Sequence, residues 1–174
     1  MFRILESCCN RKMTGMDDGV RVRSIAREDL EEVGTMAGQL VRYHHSLDAH
    51  RFLLVDGVER GYARYFASQL EEPSTILLVA ERAGKRVGYA YARLEPRNWN
   101  ALLDEHGALH DIFVVPEERR RGVASLLLEE VAGRLAALGA PRIVLSTAVQ
   151  NTAAQRLFER HGFHGTMLEM TREL

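Results

Sequence analysis

The stretch that most constrains this chain is residues 110–138, HDIFVVPEERRRGVASLLLEEVAGRLAAL. Residues 110–115 are few, apolar and rich in β-branched side chains, as a buried strand requires. Pro116 stops them, because proline cannot donate a ladder hydrogen bond. Arg119, Arg120 and Arg121 then lead into Gly122, Val123 and Ala124. Val123, Leu127, Val131, Leu135 and Leu138 recur at helical spacing and predict a long helix with one apolar stripe, closed by Gly139 and Pro141.

The turn between strand and helix has the makings of an anion cradle. A helix start carries backbone N–H groups with no partner inside the helix, and the helix dipole adds partial positive charge there. Gly122 and Ala124 keep side-chain bulk away, so a phosphate can approach the backbone, and the arginines add charge and forked donors. A diphosphate is the natural guest. The bland alternative for so short a pattern is a solvated basic helix start.

The order Arg119-x-x-Gly122-x-Ala124, after a strand ending in Val115-Pro116-Glu117, resembles the acyl-CoA motif of the GNAT superfamily of N-acyltransferases. A second family element follows at the expected distance, Asn151-x-x-Ala154-x-x-Leu157-Phe158-x-x-x-Gly162-Phe163, and the resemblance runs from Val20 to the C-terminus. It implies a splayed pair of central strands that admits acyl-CoA. The backbone of Ile112, Phe113, Val114 and Val115 would pair with the pantetheine arm. Arg120, Arg121, Gly122, Val123, Ala124 and Ser125 would hold the diphosphate, and Asn151 and Phe158 would lie beside the cofactor.

The remaining chain fits one domain. At 174 residues with a formal net charge of −1, it is large enough for a proper core and lacks the basic surface of a nucleic-acid binder. No apolar run approaches the roughly 20 residues that span a bilayer, so no membrane partner is expected. Cys8 and Cys9 are the only cysteines; their adjacency suits neither a structural disulfide nor a metal site, and no metal is expected. Without a secretory pattern a cytoplasmic location is the default. Residues 1–18 read as a mobile leader and 19–174 as the domain.

Along that domain the expectation is a strand at 20–25, a helix from Ser24 or Glu28-Asp29 to about Tyr43, an irregular stretch, and a helix over 61–70. A hairpin of strands 75–81 and 86–94 follows, then the central strand and helix. A strand at 142–149, a helix opened by a Thr152/Gln155 capping box, and a last strand at 167–172 complete it. This order gives an α/β fold, a mixed sheet with helices on both faces. By the resemblance it is GNAT-like, with six to seven strands and about four helices.

Acetyl transfer to an amine needs a base for the ammonium, a donor for the developing oxyanion, and a proton for the departing thiolate. His110 is the first candidate base, being largely neutral at pH 7. Asp111 is its neighbour, on the opposite face of a regular strand unless a bulge redirects it. By the resemblance the helix after the fifth strand often carries a tyrosine that protonates the sulfur; here the position is Phe158, which has no hydroxyl. Tyr89, Tyr91 or water would then take that role, or the thiolate leaves unaided, its thiol pKa being about 8.5. Tyr89 and Tyr91 share one strand face, which lines either the acceptor cleft or the core. Tyr43, His44 and His45 lie in the stretch that forms the acceptor wall in relatives, or else simply end a helix.

The expected activity is transfer of acetyl from acetyl-CoA to a primary amine, of a small molecule in preference to a peptide, by direct attack in a ternary complex. A non-catalytic acyl-CoA-binding regulator is the alternative from another class. A homodimer is expected on the family's habit alone.

Overall fold

A two-residue turn, Ala83-Gly84, sets the middle of the molecule. Both residues have positive φ, 49° and 77°, the geometry that joins antiparallel strands with the right twist. The computed structural model describes residues 19–174. Around this hairpin it arranges β1 (Val20–Ser24), α1 (Leu30–Leu47), α2 (Val58–Gln69), β2 (Thr75–Arg82), β3 (Lys85–Glu95), β4 (His106–Val114), α3 (Val123–Ala137), β5 (Ile143–Leu145) and α4 (Thr152–Arg160). The strands form one mixed sheet in the order β1-β2-β3-β4-β5. The first three pairings are antiparallel and β4 with β5 is parallel.

Each face of the sheet buries its own core. On one face Leu78, Ala90 and Leu109 pack against Val123, Leu127, Leu128, Val131 and Leu135 of α3 and Phe158 of α4. On the other, Leu77, Val79, Tyr89, Tyr91 and Phe113 pack against Val33, Met36, Ala37 and Leu40 of α1 and Phe66 of α2. The alternation of residues along β2 and β3 assigns them to the two faces. α3 lies close to β4 because Gly107 has no side chain: a Cβ there would sit 2.6 Å from Leu135 Cδ1. The stripe expected on α3 holds except at Leu138, which ends the helix 39 % exposed.

Five expectations are corrected. The sheet has five strands, not six or seven. The strand expected at 142–149 is only Ile143–Leu145, and 167–172 forms no strand. A strand needs a ladder partner, and three-residue β5 offers little edge; Met167, Leu168 and Met170 are left exposed. α1 runs on through Tyr43, His44 and His45 to Leu47, so these residues end a helix, the second of their two readings, and the irregular stretch starts only after them. α4 is capped by Asn151, whose side chain accepts from the Ala154 N–H at 3.2 Å, and not by a Thr152/Gln155 box. Asparagine outranks threonine as a cap. The leader expected at 1–18 lies outside the described residues.

Candidate functional site

β4 is paired on one side along its whole length, but on the other only Gly107, Ala108 and Leu109 meet β5. Beyond Leu109 the two strands part, leaving the outer edge of residues 110–114 open, with backbone groups available to an extended ligand. The one side chain bonded to this backbone from the turn is Arg119. Its Nε donates to the Val114 carbonyl at 3.0 Å, and its guanidinium lies over the Phe113 ring.

At the start of the open edge the strand bulges. Tyr91 pairs with Asp111 and the next residue, Ala92, pairs with Leu109, so His110 is the extra residue. The bulge reverses the alternation: Leu109 points toward α3, and both His110 and Asp111 reach the tyrosine side of β3. The His110 ring stacks on Tyr91 with centroids 5.0 Å apart, and its Nε2 is 3.2 Å from Glu95 Oε1. His110 is exposed; Asp111 is recessed below it.

The Tyr89 hydroxyl donates to Asp111 Oδ2 at 3.2 Å. Burial pushes the Asp111 carboxyl up to about 6, against the opposing pull of the Tyr89 hydroxyl and of His110. No arginine or lysine among the described residues bonds to it. Tyr89 is fully buried and its phenol is pushed well up, first by burial and then by the Asp111 charge. Tyr62 of α2, also burdened by burial and by Asp111, is pushed up to about 12. Tyr65 and Tyr91 share a hydroxyl–hydroxyl bond of 2.7 Å, and burial raises Tyr91 as well. Asp111 thus lies beside two phenols, Tyr89 and Tyr62, that burial keeps neutral at physiological pH. Tyr62 and Tyr65 are candidates that no motif marks. Their one signal is the spacing Tyr62, Tyr65, Phe66, three aromatics on one face of α2.

The expected acceptor wall is only partly assembled here. Tyr43 extends from α1 so that its hydroxyl lies 3.4 Å from Asn151 Oδ1 at the start of α4, linking the helix layers of the two faces where β4 and β5 part. His44 stacks on Phe52 at 5.0 Å, and burial lowers its pKa. His45 Nδ1 is 2.8 Å from the Phe52 carbonyl. Both histidines therefore brace the loop after α1. The C-terminal tail joins that loop through the Arg51–Glu169 ion pair. A depression of about 330 Å³, lined by Asp48, His50, Arg51, Thr171 and Glu173, lies between the two. A larger one of about 460 Å³ is lined by Asp56, Gly57, Arg60, Ala63 and Arg64. Asp111 lines neither.

The basic turn adopts the cradle geometry. Arg120 and Gly122 both have left-handed backbones, φ 62° and 83°, and Gly122 caps α3. The first bond of the helix is from Leu126 to the Gly122 carbonyl, so the N–H groups of Val123, Ala124 and Ser125 have no acceptor within it. A Cβ at Gly122 would meet nothing within 4 Å: the space above the cap is open. Unpaired donors, positive φ and open space together fit a diphosphate. Arg121 is bonded to Glu118 at 3.2 Å, while Arg120 stays exposed at the turn. Phe158 packs on Phe163 inside the α3-side core, centroids 5.8 Å apart.

Residues 39–163 match the model of the acetyltransferase (GNAT) family. An uncharacterised N-acetyltransferase of Bacillus subtilis, YhfO, is 28 % identical over 104 residues, covering 60 % of this chain and 68 % of that protein. Among solved structures, the aminoglycoside N-acetyltransferase AAC(6')-Iy in complex with CoA superposes with a TM-score of 0.73 at 20 % identity, covering 89 % of this chain and 94 % of that one. A transcriptional regulator from Bacillus halodurans gives 0.69 at 21 % identity, covering 89 % and 99 %. At these identities the structural likeness is one of fold.

Proposed function

The chain belongs to the acetyltransferase (GNAT) family and is an acetyl-CoA-dependent N-acetyltransferase; from that premise we propose that it acetylates a primary amine of a small molecule, by direct attack in a ternary complex, with Asp111 taking the amine's proton. The observation that carries this reading is the recessed Asp111 carboxylate at the open edge of β4, held by the Tyr89 hydroxyl and raised to about 6. A base near the working pH both accepts and releases a proton readily. At pH 7 this one is mostly ionised, so it draws in an ammonium and then deprotonates it.

Acetyl-CoA supplies the thioester carbonyl and the leaving sulfur. Residues 120–125 would hold its diphosphate, and the backbone of Ile112, Phe113, Val114 and Val115 its pantetheine arm, with an N–H near Val114 as oxyanion donor. Asp111 stands ahead of His110, which is exposed and engaged by Tyr91 and Glu95. Phe158 cannot protonate the sulfur. We assign that role to Tyr43, whose hydroxyl makes only a long 3.4 Å bond to Asn151, whereas Tyr89 and Tyr91 are held in shorter bonds of 3.2 Å and 2.7 Å by Asp111 and Tyr65.

A small-molecule acceptor is supported by the shared fold with an aminoglycoside N-acetyltransferase and by the Glu95 carboxylate beside His110, which suits a cationic amine. The test is a scan of polyamines, aminosugars, amino acids and peptides by thiol release. Turnover of small amines, abolished in the His110→Ala/Asp111→Ala double variant, is expected. Turnover of peptides alone would replace the acceptor class, and no turnover with retained CoA binding would favour a regulatory module.

A further inference from the structure

A hydrogen-bonded chain joins the cradle to the end of α4. The His161 ring, just past the end of α4, lies between two residues of α3. Its Nδ1 is 2.7 Å from Glu129 Oε1, and its Nε2 is 3.0 Å from Ser125 Oγ. The His161 side chain is 16 % exposed. Ser125 is in the first turn of α3, among the residues with unpaired N–H groups.

We propose that His161 is a positioning residue for the diphosphate of the acyl donor: it governs which way the Ser125 hydroxyl points, and diphosphate binding loads a proton onto its Nε2. The inference rests on placing the diphosphate at residues 120–125.

The argument is one of donors and acceptors. An ionised carboxylate can only accept, so the nitrogen facing Glu129 must carry hydrogen, and the neutral ring has its lone pair on Nε2. That lone pair accepts the single proton of the Ser125 hydroxyl. A phosphate oxygen also only accepts. With neutral His161, Ser125 therefore has nothing to donate to a diphosphate without stranding Nε2. Once Nε2 takes a proton from solvent, it donates to Ser125 Oγ, and the hydroxyl is free to turn toward the ligand. The added positive charge lies one side chain away from the anion. From α3, Glu129 and Ser125 are the groups that face the ring. Glu130, the next acidic residue of α3, is bonded to Arg134. On the ring's own segment the flanking charged or titratable residues Glu159, Arg160 and His164 are exposed.

The linkage has a definite sign. The bound state holds a proton that the free state holds less, so affinity falls as pH rises through the range in which imidazoles change charge, by at most about tenfold per pH unit. The probe is dephospho-CoA, which lacks the 3′-phosphate that would itself titrate near 6. Titration calorimetry at pH 7.5 in two buffers of different ionisation heat counts the protons exchanged. Wild-type protein is expected to take up a substantial fraction of one proton, and both His161→Gln and Ser125→Ala to take up far less. Ser125→Ala is the milder change and carries the test if His161→Gln does not fold. No uptake by the wild type, or uptake by the variants equal to that of the wild type, overturns the inference. Gly122→Glu separates it from its premise. Retained binding in that variant would overturn the diphosphate placement and the inference with it, whereas lost binding with variant-independent uptake overturns the inference alone.

Discussion

Two aspartates sit on the α1 side of the sheet, and their surroundings push them in opposite directions. Asp29, just before α1, is fully buried in a cage of cations. Arg23 of β1 reaches it with both guanidinium nitrogens at 2.6 and 3.0 Å, Arg86 of β3 donates at 2.8 Å, and the Ala26 N–H at 2.8 Å. The Arg23 bonds above all hold its carboxyl well below the usual range. Asp111, at the bulge of β4, has one phenol and no cage, and burial raises it. The first carboxylate is satisfied and ties two strands to a helix start. The second is under-satisfied, which costs stability and leaves it reactive. Partner count, not residue type or depth, separates the structural acid from the chemical one.

The comparison can be broken most sharply at Asp111. Asp111→Asn keeps the shape and removes the base, and kcat is expected to fall by about 10²–10⁴ while the Kd for acetyl-CoA stays within about twofold. A kcat within threefold of wild type would move the base to His110. Asp29→Ala strands Arg23 and Arg86 without their carboxylate and is expected to cost about 3–5 kcal/mol, read by urea unfolding. A loss under 1 kcal/mol would mean the cage is ornamental.

A smaller effect is expected in the pH response of stability. A raised carboxyl opposes folding above the unfolded pKa of about 3.9, and its cost grows as pH rises to about 6 and then levels. Asp111→Asn should therefore be more stable than the wild type at pH 7, by on the order of 2–3 kcal/mol, with the gap in Tm closing as pH falls to 4. Asp29 has the opposite sign: its contribution is present above the unfolded carboxylate pKa and is lost as pH falls below it. Tyr89→Phe should have the mildest effect, about tenfold on kcat. Because the Tyr89 bond pulls the Asp111 carboxyl down, losing it should move the acid limb of the rate profile to higher pH. An unmoved limb would detach Asp111 from that limb.

The cradle at the start of α3, proposed to hold the donor, was readable as geometry because it is contiguous. A strand, a basic glycine turn and a helix follow one another within residues 110–138, and the cradle is made of backbone, so local pattern specifies it. The acceptor side was not readable. Asp111 and Tyr89 were named as candidates, but their meeting depends on a bulge at His110 that no residue in the stretch announces. Tyr62 and Tyr65 were no more than part of a helix, and His44 and His45 read either as an acceptor wall or as a helix end; the structure ends α1 with them and turns them onto Phe52. The last strand failed for a reason absent from its own residues: apolar Met167, Leu168 and Met170 have no paired edge to join.

Periodicity, turn residues and proline placement are local properties, so the sequence by itself determined the element order as far as α4, the two-faced mixed sheet and the helix start that suits a diphosphate. Which β4 side chains face the tyrosines, where β4 parts from β5, and which aspartate is caged were decided only by tertiary structure. Those outcomes depend on register and on partners distant in the chain, and a carboxyl's pKa is set by what surrounds it in space.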